Sequence, residues 1–156
     1  NEINVSKCKN LRVIDIEQAG EKFTELDLSS NDKLNSLGLE GLRGLKQLKM
    51  PETDNLKEIV VKETALESLA LEKYTKLDKV CVGGNQFDIL KINMEQKTEK
   101  DIENMYLLFD NNLKVEFISS KSGIVPNIKR LDNHNLWAGI VFSNYVVTDY
   151  EIPECW

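Results

Sequence analysis

Eight six-residue segments, beginning at Leu11, Phe23, Leu34, Leu45, Leu56, Leu66, Leu77 and Phe87, share the form apolar-x-x-apolar-x-apolar. All 24 apolar positions hold Leu, Ile, Val, Met or Phe, where a 41% hydrophobic composition places about ten by chance. The starts are separated by 12, 11, 11, 11, 10, 11 and 10 residues, and such gaps do not keep a 3.6-residue stripe in phase, so one continuous helix is excluded. The unit is therefore a short strand and a turn. Within each hexad the last two apolar residues lie two apart and share a face of the strand, while the first packs inward from the preceding turn.

Ten or eleven residues accommodate one strand and one turn but no returning helix, so two hexads make one coil. The full period is 21 to 23 residues, and coils of that length stack so that each buries its neighbour's apolar edge. Phe23 to Asn31 (FTELDLSSN) and Leu77 to Asn85 (LDKVCVGGN) resemble the LxxLxLxxN core of the leucine-rich-repeat family. The alternating eleven- and ten-residue halves of Leu66 to Gln86 are similar to the short-repeat subclass of bacterial surface proteins, and more distantly to the internalins. The resemblance covers residues 1 to about 93. It implies protein recognition across an exposed strand face and an extracellular or cell-surface location. The asparagine position departs from the pattern in six units, which carry Ala19, Leu42, Thr53, Thr64, Tyr74 and Glu95. Thr can still bond turn backbone there, whereas Ala and Leu cannot, so a continuous asparagine ladder is expected to be broken.

Ile3 and Val5 match the last two apolar positions of a hexad that would start before Asn1, with Cys8 on its asparagine position. The repeat thus predicts a natural chain that extends N-terminally. Beyond Asn93 the pattern dissolves. Thr98 to Asp101 resembles a capping box, and Ile102, Met105, Tyr106 and Phe109 follow at helical spacing, which predicts a helix over 98–109. Leu113, Val115 and Phe117 alternate as in a strand, residues 127–135 read as an irregular loop, and strands are expected over 137–142 and 145–150. The expected architecture is β-rich, α+β overall. It comprises a solenoid of about four coils with two short strands per coil over 1–93, and a small α/β C-terminal cap over 94–156.

The chain has 20 basic and 26 acidic residues, a net charge of −6, with the two signs interspersed. No phosphate-seeking surface follows, so nucleic acid is not an expected partner. No apolar run reaches the ~20 residues of a membrane-spanning helix, so no membrane insertion is expected.

Catalytic and metal chemistry find little support. His134, the single histidine, lies in a polar loop and reads as a solvated residue, since a general base also needs a placed nucleophile and an orienting group. Cys155 is the candidate nucleophile, but two residues after Pro153 at the C-terminus it reads rather as a disulfide or packing group, which leaves an enzyme built on the two as a third reading. Gly83-Gly84 leaves a repeat strand with no GxxxxGK[ST] after it, which reads as a tight turn needing positive φ. Asp27, Asp32, Asp54, Asp78 and Asp88 lack calcium-loop spacing. Asn4-Val5-Ser6 is a glycosylation sequon in form, but its Val5 belongs to a repeat strand. Trp137 and Trp156 read as core or edge-sealing groups of the cap. No catalytic residue, metal or cofactor is expected.

Two outward rows remain as candidate binding surfaces. The first carries Asn35, Ser36, Gly38, Lys57, Glu58, Val60, Lys79 and Cys81, flanked by Arg12, Val13, Asp15 and Asp78. The second carries Thr24, Glu25, Asp27, Lys46, Gln47, Lys49, Glu67, Ser68, Ala70, Asp88, Ile89 and Lys91. Along the first, the central column Asp15, Gly38, Val60, Cys81 turns apolar, so a cover is expected there. It is either the tail, with a possible Cys81–Cys155 disulfide, or a partner. Cys8 is too many coils from Cys81 to pair with it, at about 4.8 Å per coil. The function this favours is a non-catalytic protein-recognition module of a larger secreted or surface protein. The alternative is a structural spacer with no ligand of its own.

Overall fold

The structure, a computed structural model, describes residues 3–110, 113–119, 126, 128–130, 140–142 and 145–146. Its strands alternate between two sides of one core. On one side lie β1 (Val13–Glu17), β3 (Ser36–Glu40), β5 (Glu58–Lys62), β6 (Lys79–Gly83), β8 (Tyr106–Phe109) and β10 (Ile128–Arg130). They form a six-stranded, wholly parallel sheet in that order. On the other side β2 (Glu25–Asp27) pairs with β4 (Gln47–Lys49), and β7 (Ile89–Asn93), β9 (Lys114–Ile118), β11 (Ile140–Phe142) and β12 (Tyr145–Val146) form a second group. Among the described strands only the β11–β12 pairing is antiparallel.

Parallel neighbours need a crossover, and here the crossovers carry strands of the opposite side, except between β5 and β6, where no strand forms. The result is a parallel-strand β-solenoid of about five turns. The expected count was about four. The difference lies in residues 106–118, which continue both sheets: β8 pairs with β6 and β9 with β7.

The hexad explains the core. Leu34, Leu45, Leu56 and Leu77, the leading apolar residues, are fully buried, as are Leu37, Leu39, Ile59, Val61 and Val80 on the inward side of their strands. The stripe meets its counterpart from the opposite side in one cluster that runs from Ile14 to Phe117. Burying a Leu, Ile or Val side chain contributes about 1.5–3 kcal/mol, so the repeated stripe dominates stability.

Several local expectations are corrected. The helix predicted over 98–109 is α1 (Glu99–Glu103), about two turns shorter than the apolar spacing predicts. The capping box itself is present: Thr98 Oγ1 accepts from the Asp101 backbone, and the Asp101 carboxylate accepts from the Thr98 amide. Beyond it, Met105, Leu107 and Phe109 are buried while Tyr106 is exposed, a period of two. The free edge of β6 offers backbone partners that a helix could not use, and strand pairing wins. Ile128–Arg130 lies in the stretch read as irregular, yet it pairs with β8. The hexad starting at Leu66 forms no strand; an isolated bridge between Leu71 and Ile92 and the Gln86 amide's bond to Leu66 O link it to the next coil. Two strands per coil is thus not universal.

The turns explain the stacking. After β1, β3, β5 and β6 comes a residue in the left-handed region: Gln18 (φ 51°), Gly41 (69°), Glu63 (50°) and Gly84 (64°). Their amides donate along the stack. Gln18 N bonds Glu40 O, Gly41 N bonds Lys62 O, Glu63 N bonds Gly83 O, and Gly84 N bonds the Asp110 carboxylate. Gly84 has the positive φ that the glycine pair predicted.

The asparagine positions hold a second ladder; on the side of β2 and β4 Thr53 and Tyr74 continue it by other chemistry, while on the first-sheet side Ala19 and Leu42 carry no side-chain donor. Asn31 Nδ2 donates to Val5 O and Cys8 O, Thr53 Oγ1 to Asp32 O, and the Tyr74 hydroxyl to Pro51 O at 2.7 Å. On the opposite side Asn85 Nδ2 donates to Val61 O and Gly83 O. Each reaches into the preceding coil, so turn carbonyls are satisfied without a uniform residue.

Candidate recognition face

The register of the first sheet aligns its outward side chains in straight columns. One is Val13, Ser36, Glu58, Lys79, Tyr106; the next is Asp15, Gly38, Val60, Cys81, Leu108. Of the eight predicted site residues, Ser36, Gly38, Glu58, Val60, Lys79 and Cys81 are brought together on β3, β5 and β6. Asn35 and Lys57 sit just before those strands, where their carbonyls carry the stack: Asn35 O accepts from Lys57 N and Glu58 N, and Lys57 O from Asp78 N and Lys79 N. The Asn35 side chain is also engaged, donating to Asn55 O at 3.1 Å. These two residues frame the face more than they form it.

The central column is apolar over three adjacent strands. Val60 and Leu108 are half-buried and Cys81 is 4% exposed. Burial pushes the Cys81 thiol above its ordinary range, opposed by the nearby cations of Lys79 and Lys62. A thiol so placed stays protonated at neutral pH and packs as a small hydrophobe. Cys81 is unbridged, as is the exposed Cys8. Cys155, its proposed disulfide partner, lies outside the described residues, as do His134 and both tryptophans.

Charges rim the column. Glu58 and Lys79 approach to 4.0 Å and Glu40 and Lys62 to 3.8 Å, all substantially solvated and therefore weakly coupled. The Asp15 carboxylate overhangs Gly38, where a Cβ would fall 2.4 Å from Asp15 Oδ1.

Sequence reasoning missed Tyr106 and Leu108, which extend both columns. They were assigned to a helix, and the signal that would have found them is the alternation of Met105, Leu107 and Phe109.

The second side is more polar. A shallow groove of about 270 Å³ lies against β2 and β4, lined by Glu25, Asp27, Gln47 and Lys49 together with Asn4 and Ser6. The Asp27 carboxyl is held at about 2, first by the Ser29 hydroxyl, then by Lys49 at 2.9 Å and the Ser29 amide. Asn4 Oδ1 accepts from the Ser6 amide and hydroxyl in the same way. The apparent sequon is thus the repeat's own turn motif, one coil earlier.

Among the described residues no group of three or more His, Cys, Asp or Glu side chains is arranged to hold a metal ion. No helix among them is long and apolar enough to cross a membrane. No protein-family model matches the chain, and no curated protein or solved structure matches it.

Proposed function

We propose that the chain is a non-catalytic protein-recognition module whose first sheet meets a protein partner. The observation that carries this reading is the outward apolar column Val60, Cys81, Leu108, continuous over three hydrogen-bonded strands and bordered by Glu58, Lys79, Glu40 and Lys62. Interfaces combine a desolvated apolar centre with a polar rim, and a rigid parallel stack holds such a surface without ordering cost at binding. The coil length and the LxxLxLxxN matches favour a leucine-rich-repeat type of solenoid, and with it a secreted or cell-surface setting.

The test is binding of the immobilised chain to an array of surface and secreted proteins. Val60→Glu and Lys57→Glu should abolish a signal that Gln47→Lys, on the second side, leaves intact. Sensitivity to Gln47→Lys alone would move the site to the second side. A chain that binds nothing in any form supports the spacer alternative, for which the uninterrupted first sheet is a suitable rod.

A further inference from the structure

We propose that the partner of this face is a second copy of the chain, packed sheet against sheet about a twofold axis parallel to the strands and midway between β5 and β6. The proposal rests on the recognition reading above and names its partner.

The argument is one of register. Glu58 and Lys79 occupy the same level on adjacent strands, as do Val60 and Cys81. Rotation by 180° about an axis between those strands keeps every level and exchanges the two strands. Glu58 of one copy then stands over Lys79 of the other, twice over, and Val60 stands over Cys81. One strand further out, Gly38 meets Leu108 and Ser36 meets Tyr106, a small residue opposite a large one in each case. The Asp15 carboxylate overhanging Gly38 is the free end of an exposed side chain and can swing aside.

Within one copy Glu58 and Lys79 are only at 4.0 Å, with side chains 49% and 42% exposed, so both are available to a facing charge. The sheet face is small. Its six strands at about 4.8 Å and five residues at about 3.3 Å give at most roughly 480 Å² per copy, below the ~800 Å² of a standard interface. Self-association is therefore weak and concentration-dependent.

The experiment is sedimentation equilibrium of the full chain and its variants up to about 1 mM, where a dissociation constant corresponds to about 4 kcal/mol. The wild type should form dimers and no higher species. Glu58→Lys alone and Lys79→Glu alone should each weaken dimerisation about tenfold or more, because each variant places like charges face to face twice. Mixing the two variants should restore association, since every facing pair is then opposite in sign while neither chain regains its internal pair. Far-UV circular dichroism and unfolding midpoints check that both variants fold. A wild type that stays monomeric throughout, or a mixture no stronger than either variant alone, overturns the dimer. The recognition face would survive that result if Val60→Glu still abolished array binding.

Discussion

The Thr64 hydroxyl and the Thr64 amide both donate to one atom, Asn85 Oδ1, the hydroxyl at 2.6 Å. Asn85 Nδ2 donates in turn to Val61 O and Gly83 O, so one side chain ties a turn to the coil before it. Asn85→Ala leaves these groups without that partner and is expected to cost about 2 kcal/mol or more. Urea unfolding measures it; a change below about 0.5 kcal/mol would show that solvent replaces the bonds. The counterpart on the opposite side is incomplete. Asn31 Oδ1 is buried without a hydrogen bond, and Cys8 holds the position that Thr64 holds for Asn85. Cys8→Thr should therefore stabilise by up to about 1 kcal/mol.

Tyr74 closes the same kind of turn with a phenol. It is 1% exposed, and its hydroxyl reaches Pro51 O at 2.7 Å. Tyr74→Phe keeps the ring packing and orphans the carbonyl, an expected loss of about 1–2 kcal/mol. Tyr74→Leu also removes ring volume and should cost more. Equal midpoints for wild type and Tyr74→Phe in thermal unfolding would contradict the role assigned to the hydroxyl.

The left-handed turn column makes opposite predictions at neighbouring coils. Gly41 has φ 69°, and a Cβ there would come within 3.3 Å of Gln18 Cγ. Gly41→Ala is expected to destabilise by about 1–2 kcal/mol. Gln18, at φ 51°, already bears that strain. Gln18→Gly should relieve it, with a net gain of about 0.5 kcal/mol after the added chain entropy of glycine. Chemical denaturation of both variants provides the comparison, and a stabilising Gly41→Ala would show that the turn had reset.

Acid should loosen the second side at an unusually low pH. The Asp27 carboxyl is held at about 2 against an ordinary 3.8, chiefly by Ser29 and then by Lys49. Because the folded value lies below the unfolded one, the stabilisation is fully present above about 4 and is lost as pH falls through about 2. Carboxyl-carbon NMR titration should find that low midpoint. Ser29→Ala should raise it more than Lys49→Met does; the reverse order would make the lysine the main cause.

Much of the fold was legible in the chain because burial leaves a periodic mark. The hexads from Leu11 to Phe87 record which side chains face inward, and the resulting columns brought Gly38, Val60 and Cys81 together as expected. Legibility failed where two periods coincide. Ile102, Met105, Tyr106 and Phe109 fit a helix by spacing, yet Met105, Leu107 and Phe109 also fit a strand, and only the open edge of β6 distinguishes the two. It failed also at Leu66 to Leu71, which satisfies the hexad pattern without forming a strand.

The sequence by itself determined the repeating coil, its length and the inward face of every hexad, because apolar burial is a property of spacing along the chain. The tertiary structure alone decided which turn groups bond across coils, why Tyr74 can stand where asparagine is expected, and how far the stack runs past residue 93. Those outcomes depend on partners some 21 to 26 residues away, whose distances no local pattern encodes.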